Sequence, residues 1–240
     1  MNFQKITRFQ IVLFSLQINT AILEMFLMRK AATLLEASKC LPGRTSPIPD
    51  RPAQNAKHLI TKQPMYGPWS EGSELAMFGM GCFWCSEGIF MQLKGVISTQ
   101  VGYAGGVTLN PTYKEVCSGQ TNHNEVVRIV FDPKTISYKD LLKYFWDTHD
   151  PTKPNQQGND MGTQYRSGIY YYNEKQKEEA IETRDIFQAA LDAKGKGHIV
   201  TEIIEAPEFY YAEDYHQQYE VRPGSRAYCG LRPLGVKLEL

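Results

Sequence analysis

The sequence has no excess of charge of either sign and no unbroken apolar segment of membrane-spanning length. Its 240 residues carry 26 basic and 26 acidic side chains, so the formal net charge is zero. A neutral chain argues against nucleic acid as the main partner, because nucleic acid selects basic surfaces. The apolar stretch 11–28 is interrupted by polar residues, including Glu24, and is too broken for a transmembrane span. We therefore expect neither a nucleic-acid partner nor membrane insertion.

The cysteines are too few, and odd in number, for a secreted disulfide framework. Secreted folds that depend on disulfides usually carry a denser, even set. A reducing compartment with one or more chemically used thiols fits this chain better. The five cysteines are Cys40, Cys82, Cys85, Cys117 and Cys229.

Composition divides the chain into three segments. Residues 1–40 begin basic and poor in acids, which resembles a mitochondrial presequence. An extension ahead of a later start at Met25 or Met28 is the alternative. Residues 41–74 hold six of the thirteen prolines and are predicted to be a linker or an extended arm. Residues 75–240 are predicted to form the domain that carries the chemistry, so removal of residues 1–60 should leave catalysis nearly unchanged.

From Leu75 onward, the hydrophobic pattern alternates between strands and helices. Strands are predicted at 75–80, 96–103, 126–131, 164–172 and 199–206. Helices are predicted at 83–93, from Ser137 to Trp146 and from Asn173 to about Ala193. The first six elements match the split βαβ order of ferredoxin-like folds. We expect an α+β fold with a mixed sheet, an extra helix and strand, and a long irregular C-terminal coil.

Cys82 lies where a predicted strand passes into a predicted helix. Unpaired backbone N–H groups and the helix dipole favour negative charge there, which lowers the pKa of a thiol. Phe83 and Trp84 would form an aromatic wall beside that thiol, suited to a small apolar group. A buried, inert cysteine is the alternative interpretation.

Cys85 completes a C-x-x-C motif with Cys82. The motif at a strand-to-helix junction is also typical of thioredoxin-like dithiols, but Phe-Trp replaces the usual Gly-Pro. A zinc site would need two more ligands, for which His149 and His216 are the candidates. The sequence contains neither a second C-x-x-C nor an H-x-x-x-H motif, so we predict that no metal is bound.

Several polar residues elsewhere are candidates for a site. Glu125, at the head of a predicted strand, would have a raised pKa near an aromatic pocket and could donate a proton. A solvated strand-end carboxylate is the alternative. Tyr113, Tyr165 and Asp160 follow turn sequences, and each is either a ligand-binding or a structural residue. Cys229, in a glycine-rich tail, has the distal position that a resolving cysteine needs.

These residues occur within a series of motifs that together resemble the peptide methionine sulfoxide reductases of type A. The resemblance runs from about Leu75 to Val236. In chain order the motifs are G-C-F-W at 81–84, G-Y-A-G-G at 102–106, N-P-T-Y at 110–113, E-V-C-S-G at 115–119, H-D-P at 149–151, Q-G-N-D-M-G-T-Q-Y-R-S at 157–167, F-Y-Y-A-E-D-Y-H-Q-Q-Y at 209–219 and Y-C-G at 228–230.

The resemblance implies a role for each candidate residue. Cys82 would attack the sulfoxide sulfur, and Glu125 would protonate the sulfoxide oxygen. Phe83 and Trp84 would hold the substrate methyl group. The polar residues that would assist on the oxygen side are Tyr113, Tyr165 and Asp160. Cys229 would resolve the sulfenic acid formed on Cys82.

The resemblance also implies the setting of the reaction. The substrates would be the S epimer of methionine sulfoxide, free or in oxidised proteins. Thioredoxin would be the reductant, replaceable by dithiothreitol in vitro, with no bound cofactor. We expect a monomer that repairs proteins under oxidative stress in the cytoplasm, the mitochondrion or both.

Three departures from the family pattern concern mainly the disulfide relay. Cys85 stands where many members have glycine, and Lys237 stands where many have a second recycling cysteine. The segment 122–125 reads Asn-His-Asn-Glu in place of the familiar Gly-His-Ala-Glu. We predict that Cys229 attacks Cys82 first and that Cys85 is a second acceptor. Two other functions stay open, a dithiol oxidoreductase acting on protein disulfides and a redox-sensing or zinc-binding module.

Overall fold

The computed structural model describes residues 33–225 and 229–240. Most of the predicted presequence, residues 1–32, therefore lies outside the described residues. Within the described part of the chain, no helix is both long and apolar enough to cross a membrane.

The strands and helices follow one another in a simple order. In chain order the strands are β1 (Glu74–Met80), β2 (Val96–Ala104), β3 (Asn124–Phe131), β4 (Gln156–Gln157), β5 (Asp160–Met161), β6 (Ser167–Tyr171), β7 (Glu202–Glu205) and β8 (Tyr210–Tyr211). The α-helices are α1 (Phe83–Phe90), α2 (Tyr113–Cys117), α3 (Tyr138–Thr148) and α4 (Glu174–Ala193).

Six strands form one mixed sheet in the order β7-β6-β1-β3-β2-β8, and β4 pairs with β5 in a separate hairpin. All neighbours in the large sheet are antiparallel except β6 and β7, which are parallel. The central order β6-β1-β3-β2 is the split βαβ arrangement. The predicted α+β class with an extra helix and strand is thus confirmed.

One strand boundary and one additional helix differ from the prediction for local reasons. The strand predicted from residue 164 begins at Ser167, because Thr163–Tyr165 form a 3₁₀ turn. The buried Arg166 side chain stabilises that turn by donating to the backbone oxygen of Thr163 at 2.9 Å. The short helix α2 was not predicted. Its signal was nevertheless present, since Thr112 and Glu115 form a capping box.

Both faces of the sheet are buried, which explains why its central strands consist of nearly continuous apolar residues. On one face, Phe78 packs with Phe90 of α1 and Phe145 of α3. On the other face, Met77 packs with Tyr170, and Phe209 covers them. Each apolar strand residue therefore has a core to enter, whichever way it points.

Residues 41–74 lie as an extended arm against the domain. Arg44 binds Glu115 through two hydrogen bonds of 2.6 and 3.0 Å. His58 is fully buried and contacts Thr99 of β2 at 2.9 Å between Nε2 and Oγ1. Met65 is also buried. These contacts indicate that the arm contributes to the stability of the domain, whereas the expectation that removal of residues 1–60 leaves catalysis nearly unchanged stays a prediction.

The chain after Pro207 is mostly irregular and returns to the core. Leu231, Val236 and Leu238 are buried in the main core cluster. The Leu238 N–H donates to Asp147 of α3 at 2.7 Å. The predicted irregular C-terminal coil is confirmed, and it is anchored at its far end.

Candidate active site

Cys82 lies in a tight turn between β1 and α1. Gly81 makes this turn possible with a φ of +99°, and a side chain there would meet Gln157 at 2.6 Å. Cys82 is the N-cap residue of α1 and has non-helical dihedral angles, φ −53° and ψ 121°. Its side chain is buried, with 7% exposed. The sulfur therefore faces the interior of the domain, where substrate rather than solvent would surround it.

Three thiols meet at this turn. The Cys85 thiol hydrogen-bonds with the thiols of both Cys82 and Cys229. Hydrogen bonding from Cys82, together with that from Cys229 and the Gly230 N–H, lowers the pKa of Cys85 to about 7, although burial opposes this. The hydrogen bond to Cys85 and burial raise the pKa of Cys82. The expected lowering of the Cys82 pKa is therefore wrong, because the hydrogen bond with Cys85 and burial both favour the protonated Cys82 thiol.

Glu125 lies at the start of β3 with its carboxyl group fully enclosed. Its Oε2 accepts a hydrogen bond from the Phe83 N–H at 3.0 Å. Its Oε1 is buried without a hydrogen-bond partner in the described structure. Burial raises the pKa of Glu125 to about 8, assisted by the charges of Asp160 and Cys85 and opposed by the Phe83 N–H. The carboxyl group is therefore protonated at neutral pH, and Oε1 is the oxygen that can carry the proton.

Aromatic rings form a wall beside Cys82. Phe83 lies between Tyr103 and Tyr113, with ring centroids 5.8 and 6.4 Å away. Trp84 stacks on Tyr219 at 4.1 Å and remains partly exposed. This wall offers a small apolar surface that the Glu125 carboxyl group does not occupy. It can hold a methyl group while the carboxyl group holds an oxygen.

The remaining predicted polar residues gather around the same carboxyl group. Asp160 belongs to β5, and its negative charge contributes to the raised pKa of Glu125. Tyr165 belongs to the 3₁₀ turn and lies near enough for the charge of Glu125 to raise the pKa of its hydroxyl. Tyr113 begins α2, and its hydroxyl contacts the Cys117 thiol. Burial raises the pKa of Tyr113 and of Tyr165, so both hydroxyls are protonated donors. All nine residues predicted for the site are thus brought to one place.

Sequence reasoning considered His216 only as a zinc ligand, whereas the structure gives it another position. Its Nδ1 accepts a hydrogen bond from the Trp84 indole N–H at 3.0 Å. Burial lowers the pKa of His216 to about 4, so the ring is neutral with its proton on Nε2. The other zinc candidate, His149, contacts the Phe145 carbonyl oxygen and the Ser167 hydroxyl instead. His216 therefore orients the aromatic wall.

Two buried carboxyl groups that support the site were missed altogether. Glu213 accepts hydrogen bonds from the Tyr113 N–H at 2.9 Å and from the Tyr103 hydroxyl at 3.0 Å. Glu87 of α1 accepts from Thr99 and from the backbone and side chain of Gln218. The only sequence signal was the presence of Glu213 within the 209–219 motif. Nothing local marks Glu87, because its partners are distant in sequence.

Comparison with known proteins gives one consistent result. Residues 74–237 match the model of the peptide methionine sulfoxide reductase family. A peptide methionine sulfoxide reductase of Rippkaea orientalis is 53% identical over 202 residues, which cover 84% of this chain and 91% of the relative. One from Synechocystis sp. is 49% identical over 222 residues, 89% of this chain and 97% of the relative. The structure of methionine sulfoxide reductase A of Corynebacterium diphtheriae aligns with a TM-score of 0.71 and 38% identity, covering 83% of this chain and 99% of that one.

Proposed function

The chain belongs to the peptide methionine sulfoxide reductase family, and we propose that Cys82 and Glu125 together reduce the S epimer of methionine sulfoxide, free or in oxidised proteins. The observation that carries this proposal is the buried Glu125 carboxyl group, whose Oε1 has no partner in the described structure. A sulfoxide oxygen is a poor leaving group until it is protonated, so a neutral carboxyl group beside a thiol is what the reaction requires.

The first step transfers the oxygen from the substrate to Cys82. The Cys82 sulfur attacks the sulfoxide sulfur while Glu125 donates its proton to the oxygen. The substrate S–O bond breaks and an S–O bond forms on Cys82. The sulfoxide is reduced by two electrons to the thioether, and Cys82 is oxidised to a sulfenic acid. The Cys82 thiol proton completes the balance by returning Glu125 to its protonated form.

The site geometry supports discrimination between the two epimers. The aromatic wall of Phe83 and Trp84 lies beside the sulfur, and the oxygen-side donors lie around Glu125. An epimer with methyl and oxygen exchanged would place its oxygen against the rings and its methyl group against the carboxyl group. That arrangement leaves the oxygen without a proton donor and buries polar groups unpaired.

Regeneration needs an external dithiol. We propose thioredoxin in the cell and dithiothreitol in vitro, with neither a bound organic cofactor nor a metal. Cys229 is exposed, so a disulfide that includes it can be reached by a protein reductant.

We also propose that the protein works as a monomer in the cytoplasm, the mitochondrion or both. The basic, acid-poor start of the chain supports the mitochondrial part. Residues 1–40 fused to a fluorescent reporter should direct part of it to mitochondria. A reporter confined to the cytosol would reject the mitochondrial part of this proposal and leave the enzymatic part intact.

Methionine release in the absence of reductant tests the proposed chemistry. Wild-type protein should release methionine from the S sulfoxide, and Cys82→Ser should release none, because the serine hydroxyl is a far weaker nucleophile than a thiol. Cys40→Ser, remote from the site, is the matched control and should behave as wild type. Release by Cys82→Ser at the control level would contradict the assignment of Cys82 as nucleophile.

A further inference from the structure

The second cysteine of the C-x-x-C motif lies between the buried nucleophile and the exposed cysteine of the coil. Cys85 is 2% exposed, and its thiol hydrogen-bonds with Cys82 on one side and Cys229 on the other. Cys82 is buried and Cys229 is exposed. The three sulfurs thus form a continuous path from the interior of the site to the surface.

We propose that Cys85 is a further catalytic residue, which resolves the Cys82 sulfenic acid and then passes the disulfide to Cys229. This inference rests on the function proposed above and reverses the order expected from the sequence, in which Cys229 attacks first. The expectation relied on the difficulty of forming a disulfide at a regular helix start. Cys82 is outside the helix, however, and its non-helical dihedral angles leave its sulfur in contact with Cys85.

The two steps balance in atoms and electrons. In the first, the Cys85 sulfur attacks the Cys82 sulfenic sulfur, an S–S bond forms and the S–O bond breaks. The hydroxyl group leaves with the Cys85 proton as water, so the oxidation of Cys85 matches the reduction of the sulfenic sulfur. In the second, Cys229 attacks the Cys85 sulfur, the Cys85–Cys229 bond forms, and the Cys82–Cys85 bond breaks. That exchange is redox-neutral, and the Cys229 proton passes to Cys82.

The environment of the three thiols is consistent with this order. Cys85 is the sulfur with a lowered pKa, about 7, so it is the better nucleophile at neutral pH. Burial raises the pKa of Cys229 to about 11, so that thiol is protonated at neutral pH before the exchange step. The order also explains how the relay works with Lys237 in place of a second recycling cysteine. Cys85 supplies the third thiol, from the first turn of α1.

The relay makes a stoichiometric prediction for full-length protein treated with excess methionine sulfoxide and no reductant. Transfer to Cys229 frees Cys82 for a second reaction, so wild type should release about two methionines per enzyme. The disulfide mapped by mass spectrometry should be Cys85–Cys229. Cys229→Ser should release about one methionine and accumulate a Cys82–Cys85 disulfide, because the second exchange has no acceptor.

Cys85→Ser separates the relay from folding. It should still release about one methionine, which shows an intact first step, and its Cys82 sulfenic acid should persist long enough to react with a 1,3-dione probe. Turnover with thioredoxin should fall by about tenfold or more, as expected for loss of a positioned intramolecular thiol. Cys40→Ser, outside the path, should match wild type in all these measurements.

Two results would overturn the relay. One is a wild-type Cys82–Cys229 disulfide with Cys85 always free. The other is wild-type turnover by Cys85→Ser. If wild-type protein released no methionine at all, the proposed function would be contradicted and the relay with it. That outcome is distinguishable, because the relay alone predicts nothing about the first methionine.

Discussion

At the scale of the residue, Glu125 is suited to the proposed role of proton donor because of where its strand begins. β3 starts at Asn124, one residue before it, and Glu125 pairs with Tyr103 inside the sheet. The carboxyl group consequently lies under α1 rather than in solvent. Burial contributes more to the raised pKa of Glu125 than the nearby charges of Asp160 and Cys85 do.

This position predicts a pH dependence that one substitution should remove. With a pKa of about 8, Glu125 is protonated below that pH and loses its proton above it. Wild-type turnover should therefore decline as the pH rises through about 8. Glu125→Gln should lower turnover by about 10²-fold or more and abolish that decline, because an amide does not titrate in this range. Rates measured from pH 6 to about 10 would show both effects.

The matched control is Glu205→Gln, which changes an exposed carboxyl group on β7. It should keep both the wild-type rate and the decline at high pH. If the decline persisted unchanged in Glu125→Gln, another group would be the proton donor.

The set of residues that the structure brings together could be predicted from the sequence, but their protonation states could not. Cys82, Glu125 and the aromatic pair occur within contiguous motifs that a reader can recognise. The pKa of Cys82 depends on contact with Cys85, and that of Cys85 depends on Cys229, which is far away in the chain. A rule based on position at a helix start cannot include such contacts. It therefore assigned the low pKa to the wrong cysteine of the motif.

At the scale of the element, the arm and the C-terminal coil support the site from opposite directions. Glu87 of α1 accepts two hydrogen bonds from Gln218 of the coil, one from its backbone N–H and one from its side chain, and a third from the Thr99 hydroxyl. Thr99 in turn contacts His58 of the arm. The arm is therefore part of the framework behind α1.

Two truncations test this role of the arm. Removing residues 1–32 keeps every contact described here, so the melting temperature should stay the same. Removing residues 1–60 removes Arg44 from Glu115 and leaves the buried Thr108 hydroxyl without its acceptor, the Leu41 backbone oxygen, at a cost of about 1–3 kcal/mol per buried group. The melting temperature should then fall by about 5 °C or more. Equal melting of the two truncated proteins would contradict the account of the arm.

Long elements with clear periodicity were predicted well, whereas short ones were not. The helix capped by Ser137 and the helix capped by Asn173 both occur, each with the side-chain cap that its sequence suggests. The two-residue strand β8 has no such signal. It exists because the Tyr210–Tyr211 backbone reaches the edge of β2, a tertiary event that local sequence does not encode.

At the scale of the whole molecule, the fold brings distant segments to one small volume. The site combines the turn after β1, the start of β3, the 3₁₀ turn before β6 and the irregular coil. A dithiol oxidoreductase would need only the C-x-x-C motif and a surface. The enclosed Glu125 carboxyl group and the aromatic wall have no use in that function. Reduction of a sulfoxide with one configuration at sulfur requires both of them.

The most direct test of the central claim is turnover of the separated S and R epimers of methionine sulfoxide with thioredoxin and its reductase. We predict sustained reduction of the S epimer and no reduction of the R epimer, because the acid and the methyl pocket have fixed positions around Cys82. Insulin disulfides, offered in parallel, should be reduced no faster than by thioredoxin alone. Equal reduction of both epimers, or reduction of insulin without reduction of either sulfoxide, would contradict the account.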